Sequence, residues 1–316
     1  MSEVLILFRE YSCDMVVSIR VEGIVVPLIT PFKENLSIDY EALKWLLERL
    51  SISGIHAVFP SSTTGEFPHL TLNEMKSLNE FTVEQVSNRV KVYVGVTANC
   101  TTHVIELARH AQDIGADGII ATTPYYFKHN VKALKDHYSR IAESVDISII
   151  IYNIPSTTGI LISIGLIVEL AKEYSNIVAT KITHDSLSYF IQLIEKVKAV
   201  RKNFSVLTGN GYLLLPILTI GGDGAVVAIA NAYPKTCVEV YRKWVENDVV
   251  NAIRSYRKLL ELSKLYFIHN NIGATIKMLL SLAKTPIKPI VRPPLTPPKN
   301  IEEIRNILKK YPIELR

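Results

Sequence analysis

Short apolar runs alternate with amphipathic helical patterns along most of this chain, and that alternation restricts the fold more than any other feature. Strand-like runs stand at 24–30, 56–60, 92–97, 118–123, 147–153, 177–182, 205–208 and 225–229. Most are rich in β-branched residues and nearly continuous in their apolarity, the pattern of parallel strands covered on both faces. Between them Leu43, Leu46, Leu47 and Leu50 follow the i, i+3, i+4, i+7 spacing of a helix with one buried face. Val104, Leu107, Ala108 and Ala111 repeat the spacing, with Thr101 or Thr102 as the expected N-cap and Gly115 as the stop. Phe190, Leu193, Ile194 and Val197 repeat it again. Eight strands, each followed by a helix, are the arithmetic of an α/β fold of the (β/α)8 TIM barrel type, expected over residues 21–246. A doubly wound sheet usually has fewer strands, and its Gly-x-Gly-x-x-Gly opening is absent after the first run.

Beyond residue 246 the alternation stops. Helices are expected at 251–268, 272–283 and 301–310, and the stretch 286–298 holds six prolines suited to an extended surface wrap. Residues 247–316 therefore read as a C-terminal helical extension packed on the barrel. Residues 1–20 read as an N-terminal extension. Its apolar run at 4–8 is too short for a signal core and meets Arg9 and Glu10 at once, and Met15 is an alternative start.

Composition narrows the function classes. With 316 residues, 48% hydrophobic and 21% charged, the chain is a packed globule. A net charge of +5 with no basic stripe argues against a nucleic-acid partner; the mild surplus could attract a small carboxylate, but ordinary surface charge is the favoured reading. No segment approaches the roughly 20 apolar residues of a membrane span. Cys13, Cys100 and Cys237 are few, odd in number and far apart, which points to a reducing cytoplasm and not to a disulfide framework. The eight histidines show no ligand spacing, so no metal is expected. Gly221-Gly222-Asp223-Gly224 precedes a strand instead of opening a helix, which makes it a helix-to-strand turn and not a phosphate cradle.

In such barrels the chemistry gathers at the C-terminal strand ends. Those ends carry Ser61-Ser62-Thr63-Thr64-Gly65-Glu66, Pro124-Tyr125-Tyr126, Tyr152-Asn153-Ile154-Pro155-Ser156 and Lys181. Lys181 stands in an otherwise apolar, β-branched run. Desolvation there disfavours the ammonium, and a neutral amine forms Schiff bases with ketones. The ordinary alternative is a strand-end lysine whose head reaches solvent. Tyr152 lies one βα unit earlier, on a neighbouring strand about 4.8 Å away, where a phenol can shuttle protons. The hydroxyls and turn N–H groups of Ser62-Thr63-Thr64-Gly65 can hold a carboxylate, with Gly65 allowing close approach, or can merely satisfy an ST-turn. His184 and Asp185 either face the site or cap the next helix, and the cap is the favoured reading.

At these residues the sequence resembles the dihydrodipicolinate synthase and N-acetylneuraminate lyase superfamily of pyruvate-handling class I aldolases. The matching stretches are Ser62-Thr63-Thr64-Gly65-Glu66-Phe67, Pro124-Tyr125-Tyr126, Ile151-Tyr152-Asn153-Ile154-Pro155 with Thr158-Gly159, Lys181, Gly221-Gly222-Asp223-Gly224 and Ala230-Asn231. The resemblance implies a cofactor-free enzyme in which Lys181 forms the imine with pyruvate or a 2-keto acid. It makes Tyr152 the proton donor and acceptor, with Thr63 linking it to a Tyr126 supplied by a neighbouring subunit. It places the pyruvyl carboxylate on Thr63 and Thr64, sets Val226 and Gly209 in the substrate pocket, and implies a homotetramer whose minimal unit is a dimer.

Departures from the pattern bear on the substrate. Synthases of this family carry an arginine where this chain has Thr157, which cannot form a bidentate pair with a carboxylate. Sialic acid lyases carry an acidic pair where this chain has Asn210-Gly211, and the acid that often follows the lysine is Ile182. Thr183 matches lyases and sugar-acid aldolases and could hydrogen-bond a polyhydroxy chain. The likeness is greatest to archaeal-type 2-keto-3-deoxygluconate aldolases, which yield pyruvate and glyceraldehyde. The stretch Tyr126-Phe127-Lys128-His129 lacks the arginine of members that accept the 6-phosphate. The alternative is dihydrodipicolinate synthase, condensing pyruvate with aspartate semialdehyde and using Lys128 in place of the missing arginine. A lyase or dehydratase of another keto acid shares the imine step. A non-catalytic barrel is disfavoured by the presence of Lys181, Tyr152, Thr63 and Tyr126 together.

Overall fold

A computed structural model describes residues 20–314, so the expectations for residues 1–19, including a start at Met15, lie outside the described residues. In chain order the elements are β1 (Gly23–Pro27), α1 (Tyr40–Ser51), β2 (Ala57–Phe59), α2 (Leu72–Val86), β3 (Lys91–Gly95), α3 (Thr101–Asp113), β4 (Gly118–Thr122) and α4 (Val131–Ala142). They continue with β5 (Ser148–Asn153), the single turn α5 (Pro155–Thr158), α6 (Ile164–Glu173), β6 (Ile177–Ile182), α7 (Leu187–Val200), β7 (Ser205–Thr208), α8 (Leu214–Thr219), β8 (Gly224–Val226) and α9 (Pro234–Val245). The remaining helices are α10 (Val249–Leu262), α11 (Ile272–Leu282) and α12 (Glu302–Lys310). The strands pair in parallel in the order β1 to β8, and β8 closes on β1, which makes the fold a (β/α)8 barrel.

The apolar spacings behave as their periods require. Leu43, Leu46, Leu47 and Leu50 of α1 are fully buried, as are the inward residues of α3, and those of α7 are nearly so. Inside the strands, Val25, Phe59, Tyr93, Ile150, Leu207 and Val226 fill the barrel centre, each no more than 2% exposed. The barrel is thus a packed core and not a pore.

Several local expectations need correction. The N-cap of α3 is Cys100, with no side-chain cap bond, and not Thr101 or Thr102. The Thr101 hydroxyl instead shares a 2.9 Å hydrogen bond with Nδ1 of the buried His137 on α4. The cap of α7 is Ser186, whose side chain accepts from the Tyr189 N–H, and not His184 or Asp185. The expected helix over 251–268 stops at Leu262 and tightens into a 3-10 turn over Ser263–Phe267. The Gly221–Gly224 segment is the helix-to-strand turn expected of it. Its Asp223 is buried and accepts bonds from Arg20, Lys198 and the Val206 N–H. Among the described residues no helix is long and apolar enough to cross a membrane.

Candidate active site

One irregularity in the sheet aims the lysine. β5 and β6 pair Ile149 with Ile177, but the next pair is Ile150 with Ala179, so Val178 is an extra residue in β6. Strict alternation would put Lys181 on the same side as Ile177, which faces the surrounding helices. The bulge reverses the parity beyond it. Ala179 then faces the barrel centre, and Lys181 follows it two residues on. The register beyond the bulge sets Tyr152 directly opposite Lys181 and Leu207 opposite it on the other flank.

Lys181 is 4% exposed, and its Nζ lies 3.6 Å from the centroid of the Tyr152 ring and 5.2 Å from that of Phe59. Aromatic faces attract the cation, but no carboxylate pairs with this ammonium among the described residues. Burial therefore holds its pKa below the ordinary lysine value, and the nearby Tyr152 oxygen opposes that shift only in part. A lysine so shifted is closer to the neutral amine form, which is the form that attacks carbonyls.

The Tyr152 hydroxyl accepts a hydrogen bond from the Thr183 hydroxyl at 3.3 Å. Thr183 follows β6 and is half-buried. No hydrogen bond joins Thr63 to Tyr152 among the described residues. Gly209 stands beside this group for a steric reason. A Cβ there would lie 1.9 Å from the Thr183 hydroxyl and 3.1 Å from Cε of Lys181, so any side chain would displace both. Val226 belongs to the interior cluster that contains Phe59 and Tyr152.

The turn after β2 divides its duties. The Ser62 hydroxyl donates to the Leu28 carbonyl and accepts from the Gly65 N–H at 3.0 Å, which is an ST-turn. Gly65 packs on the Leu28 backbone, where a Cβ would lie 2.6 Å from the carbonyl oxygen. That accounts for the glycine without a ligand. Thr63 is half-buried and Thr64 is 6% exposed, and neither residue's N–H or hydroxyl is committed to an internal bond among the described residues.

The same turn is anchored by Glu66, to which the sequence assigned no role, and by Lys277 and Arg292, which it did not single out. Glu66 is fully buried with φ +63°, a left-handed conformation that a non-glycine residue holds only when its surroundings enforce it. Its carboxylate forms an ion pair with Lys277 of α11 and accepts a 3.0 Å bond from the Arg292 N–H. Lys277 also donates to the Ile290 carbonyl at 2.9 Å and lies 4.2 Å from the Phe32 ring centroid. The Arg292 guanidinium continues outward to Glu74 and to the carbonyls of Leu36 and His69. The helical tail is thereby fastened to the loop that carries Thr63 and Thr64. A signal existed, since Lys277 is the one charged residue in the sequence of α11.

The remaining candidates sit at the rim. Thr157 is exposed on α5, and its hydroxyl turns back to the Ile154 carbonyl at 3.3 Å. Tyr126 is 88% exposed with φ +84°, and its ring stands edge-on to Phe127 at 5.1 Å. Within one chain Tyr126 is therefore not packed into the Lys181 pocket. Asp185 accepts 2.6 Å hydrogen bonds from the Asn210 side chain and the Tyr212 hydroxyl.

Comparison with known proteins agrees with this geometry. A family model described as the dihydrodipicolinate synthetase family matches residues 20–311. An uncharacterized DapA-like lyase of Thermofilum pendens is 45% identical over 287 residues, covering 90% of this chain and 95% of that one. A probable 2-dehydro-3-deoxy-D-pentonate aldolase of Escherichia coli is 35% identical over 276 residues, 87% of this chain and 92% of that one. Among solved structures, the Escherichia coli K12 prophage protein YagE, of the dihydrodipicolinic acid synthase family and in complex with pyruvate, superposes with a TM-score of 0.89. It is 31% identical, covering 92% of this chain and 98% of that one. With a buried lysine set against a tyrosine on the next strand of a closed barrel, and with a family match over nearly its whole length, this chain belongs to the dihydrodipicolinate synthetase family and is a carbon–carbon lyase.

Proposed function

We propose that the protein is a Schiff-base aldolase that cleaves or forms 2-keto-3-deoxy sugar acids such as 2-keto-3-deoxygluconate, with pyruvate and an aldehyde such as glyceraldehyde as the other partners. The reading rests on one observation above the rest: Lys181 is buried with no carboxylate partner among the described residues, and its Nζ lies 3.6 Å from the ring centroid of Tyr152. The Lys181 amine adds to the C2 ketone and forms an imine with loss of water. Tyr152 removes the proton of the C4 hydroxyl, and the C3–C4 bond breaks. The bonding pair moves through C3 and C2 onto the iminium nitrogen as an enamine, and the aldehyde departs. Protonation at C3 and hydrolysis of the imine then release pyruvate and the free amine. The uncommitted N–H and hydroxyl groups of Thr63 and Thr64 supply donors for the pyruvyl carboxylate. Thr183 donates to Tyr152, and Val226 and Gly209 bound the pocket.

The sugar-acid assignment is supported by what the aldehyde end lacks. Thr157 stands where a synthase would carry an arginine, and its hydroxyl is turned back to the backbone. It offers no cation for the carboxylate of aspartate semialdehyde. The pentonate aldolase among the relatives acts on a substrate of the proposed class by its name. The exposed, strained Tyr126 fits a residue that completes the proton relay through Thr63 in a second subunit, within a homotetramer. The test is a direct comparison of 2-keto-3-deoxygluconate cleavage with condensation of pyruvate and aspartate semialdehyde. Preferential cleavage of the sugar acid is expected. A strong preference for the condensation would make the protein a dihydrodipicolinate synthase.

A further inference from the structure

We infer that Asp185 selects the aldehyde half of the substrate, accepting hydrogen bonds from the hydroxyl groups of a polyol chain and disfavouring an aldehyde that carries a carboxylate. The inference rests on the aldolase reading above and goes beyond it by naming the group that meets the part of the substrate lost on cleavage. Its starting point is placement. Asp185 lies in the connection from β6 to α7, at the C-terminal end of the strand that carries Lys181, where barrels of this kind keep their substrate contacts. Because Ser186 caps α7, Asp185 is not needed at the helix terminus.

Its position is fixed from the neighbouring strand. The Gly209 N–H donates to the Ile182 carbonyl at 2.7 Å, so β6 and β7 stay paired right up to the site. Gly209 touches Lys181 and Thr183, and the next residue, Asn210, is buried and donates to Asp185. The carboxylate is therefore tied to a backbone position about 3.8 Å along the chain from the one against the imine lysine. Tyr212 holds it from the other side. Its ring packs against Tyr266 at 5.9 Å and Phe267 at 6.0 Å, and its carbonyl accepts from the Tyr256 hydroxyl. Both Asn210 and Tyr212 donate to the same oxygen, Oδ1, at 2.6 Å each. Oδ2 has no protein partner among the described residues, and Asp185 is exposed.

The direction of the substrate completes the argument. β2, with Thr63 and Thr64 in the turn beyond it, lies across the barrel from β6. With the pyruvyl carboxylate held there and C2 fixed on Lys181, the carbons beyond C3 extend toward the β6 and β7 side of the mouth. An acceptor-only carboxylate oxygen there matches sugar hydroxyls, which donate, and repels a second carboxylate. Thr157 supplies no cation to reverse that preference.

The test uses the full-length enzyme and its Asp185→Asn and Asp185→Ala variants. Condensation of pyruvate is measured with glyceraldehyde, with propanal, which has no hydroxyl groups, and with aspartate semialdehyde. Asp185→Ala is expected to lower the ratio of kcat/KM for glyceraldehyde to that for propanal by about tenfold, the size of one hydrogen bond to a charged group. In Asp185→Asn the preference for glyceraldehyde over the semialdehyde should fall. Equal losses for glyceraldehyde and propanal, or no change in either ratio, overturn the inference. Borohydride trapping of pyruvate in the same variants separates the two claims. A protein that forms no imine fails the aldolase reading, whereas one that forms it with unchanged ratios fails only the role of Asp185.

Discussion

Two lysines are buried in this molecule at almost the same depth, and the proposed mechanism uses only one of them as a nucleophile. Lys277 is fully buried beside an aromatic face, that of Phe32, and Lys181 is 4% exposed beside that of Tyr152. The difference is the counter-charge. Lys277 has the Glu66 carboxylate and the Ile290 carbonyl, while Lys181 has a phenol and hydrocarbon. Burial lowers both pKa values, but the pair with Glu66 opposes the shift at Lys277, which stands at about 8 and is held by that carboxylate. At Lys181 the Tyr152 phenol opposes the shift only in part. On the proposed reading, depth supplies the desolvation, and the lack of a carboxylate partner among the described residues turns it into reactivity.

The comparison can be broken most forcefully at Lys181 itself. Lys181→Ala should lower sugar-acid cleavage by about a thousandfold or more, as removal of a covalent nucleophile does, with the cooperative urea transition retained. Substantial remaining turnover would mean that another group carries the imine. The next effect falls on stability. Lys277→Met leaves the Glu66 carboxylate buried and unpaired, and urea denaturation should show a loss of about 3–5 kcal/mol. It should also raise the KM for pyruvate, because the turn carrying Thr63 and Thr64 loses its anchor. The double variant Glu66→Gln with Lys277→Met removes both charges and should recover most of that stability. Additive losses would show that the two groups are not coupled.

The smallest effect is a pH dependence. A lysine whose folded pKa is depressed binds fewer protons in the native state than in the unfolded chain over the interval between its two pKa values. Stability therefore rises with pH in that interval. For Lys277 it runs from about 8 to the ordinary lysine value of 10.5. For Lys181 it ends at the same upper limit and begins where the lowered pKa lies. The stability of wild type relative to Lys181→Met should accordingly increase as pH rises toward that limit. A difference independent of pH would mean that Lys181 is not desolvated in the folded protein.

How much of this was legible in the sequence follows from the range of the interactions. The eight strands and the helices between them were readable because burial on both faces leaves a local mark, an apolar run bounded by turns. The pairing of Tyr152 with Lys181 followed from one βα repeat. The inward aim of Lys181 was not readable from alternation, because it depends on the bulge at Val178, and counting from Ile177 gives the wrong face. The role of Glu66 was hidden for another reason. Its partners Lys277 and Arg292 lie more than two hundred residues away, and nothing local records that an α11 lysine reaches the β2 turn. Asp185 was read as a cap because caps are local, whereas its real partners come from the next strand's loop.

The most direct test of the contrast between the lysines is peptide mapping of the protein after reduction with borohydride in the presence of pyruvate. Both lysines are read in one digest, so each serves as the control for the other. Modification of the peptide containing Lys181, with the Lys277 peptide untouched, is the predicted result. A pyruvyl adduct on Lys277, or an unmodified Lys181 in protein that still cleaves its substrate, would contradict the claim that a missing counter-charge makes Lys181 the reactive amine.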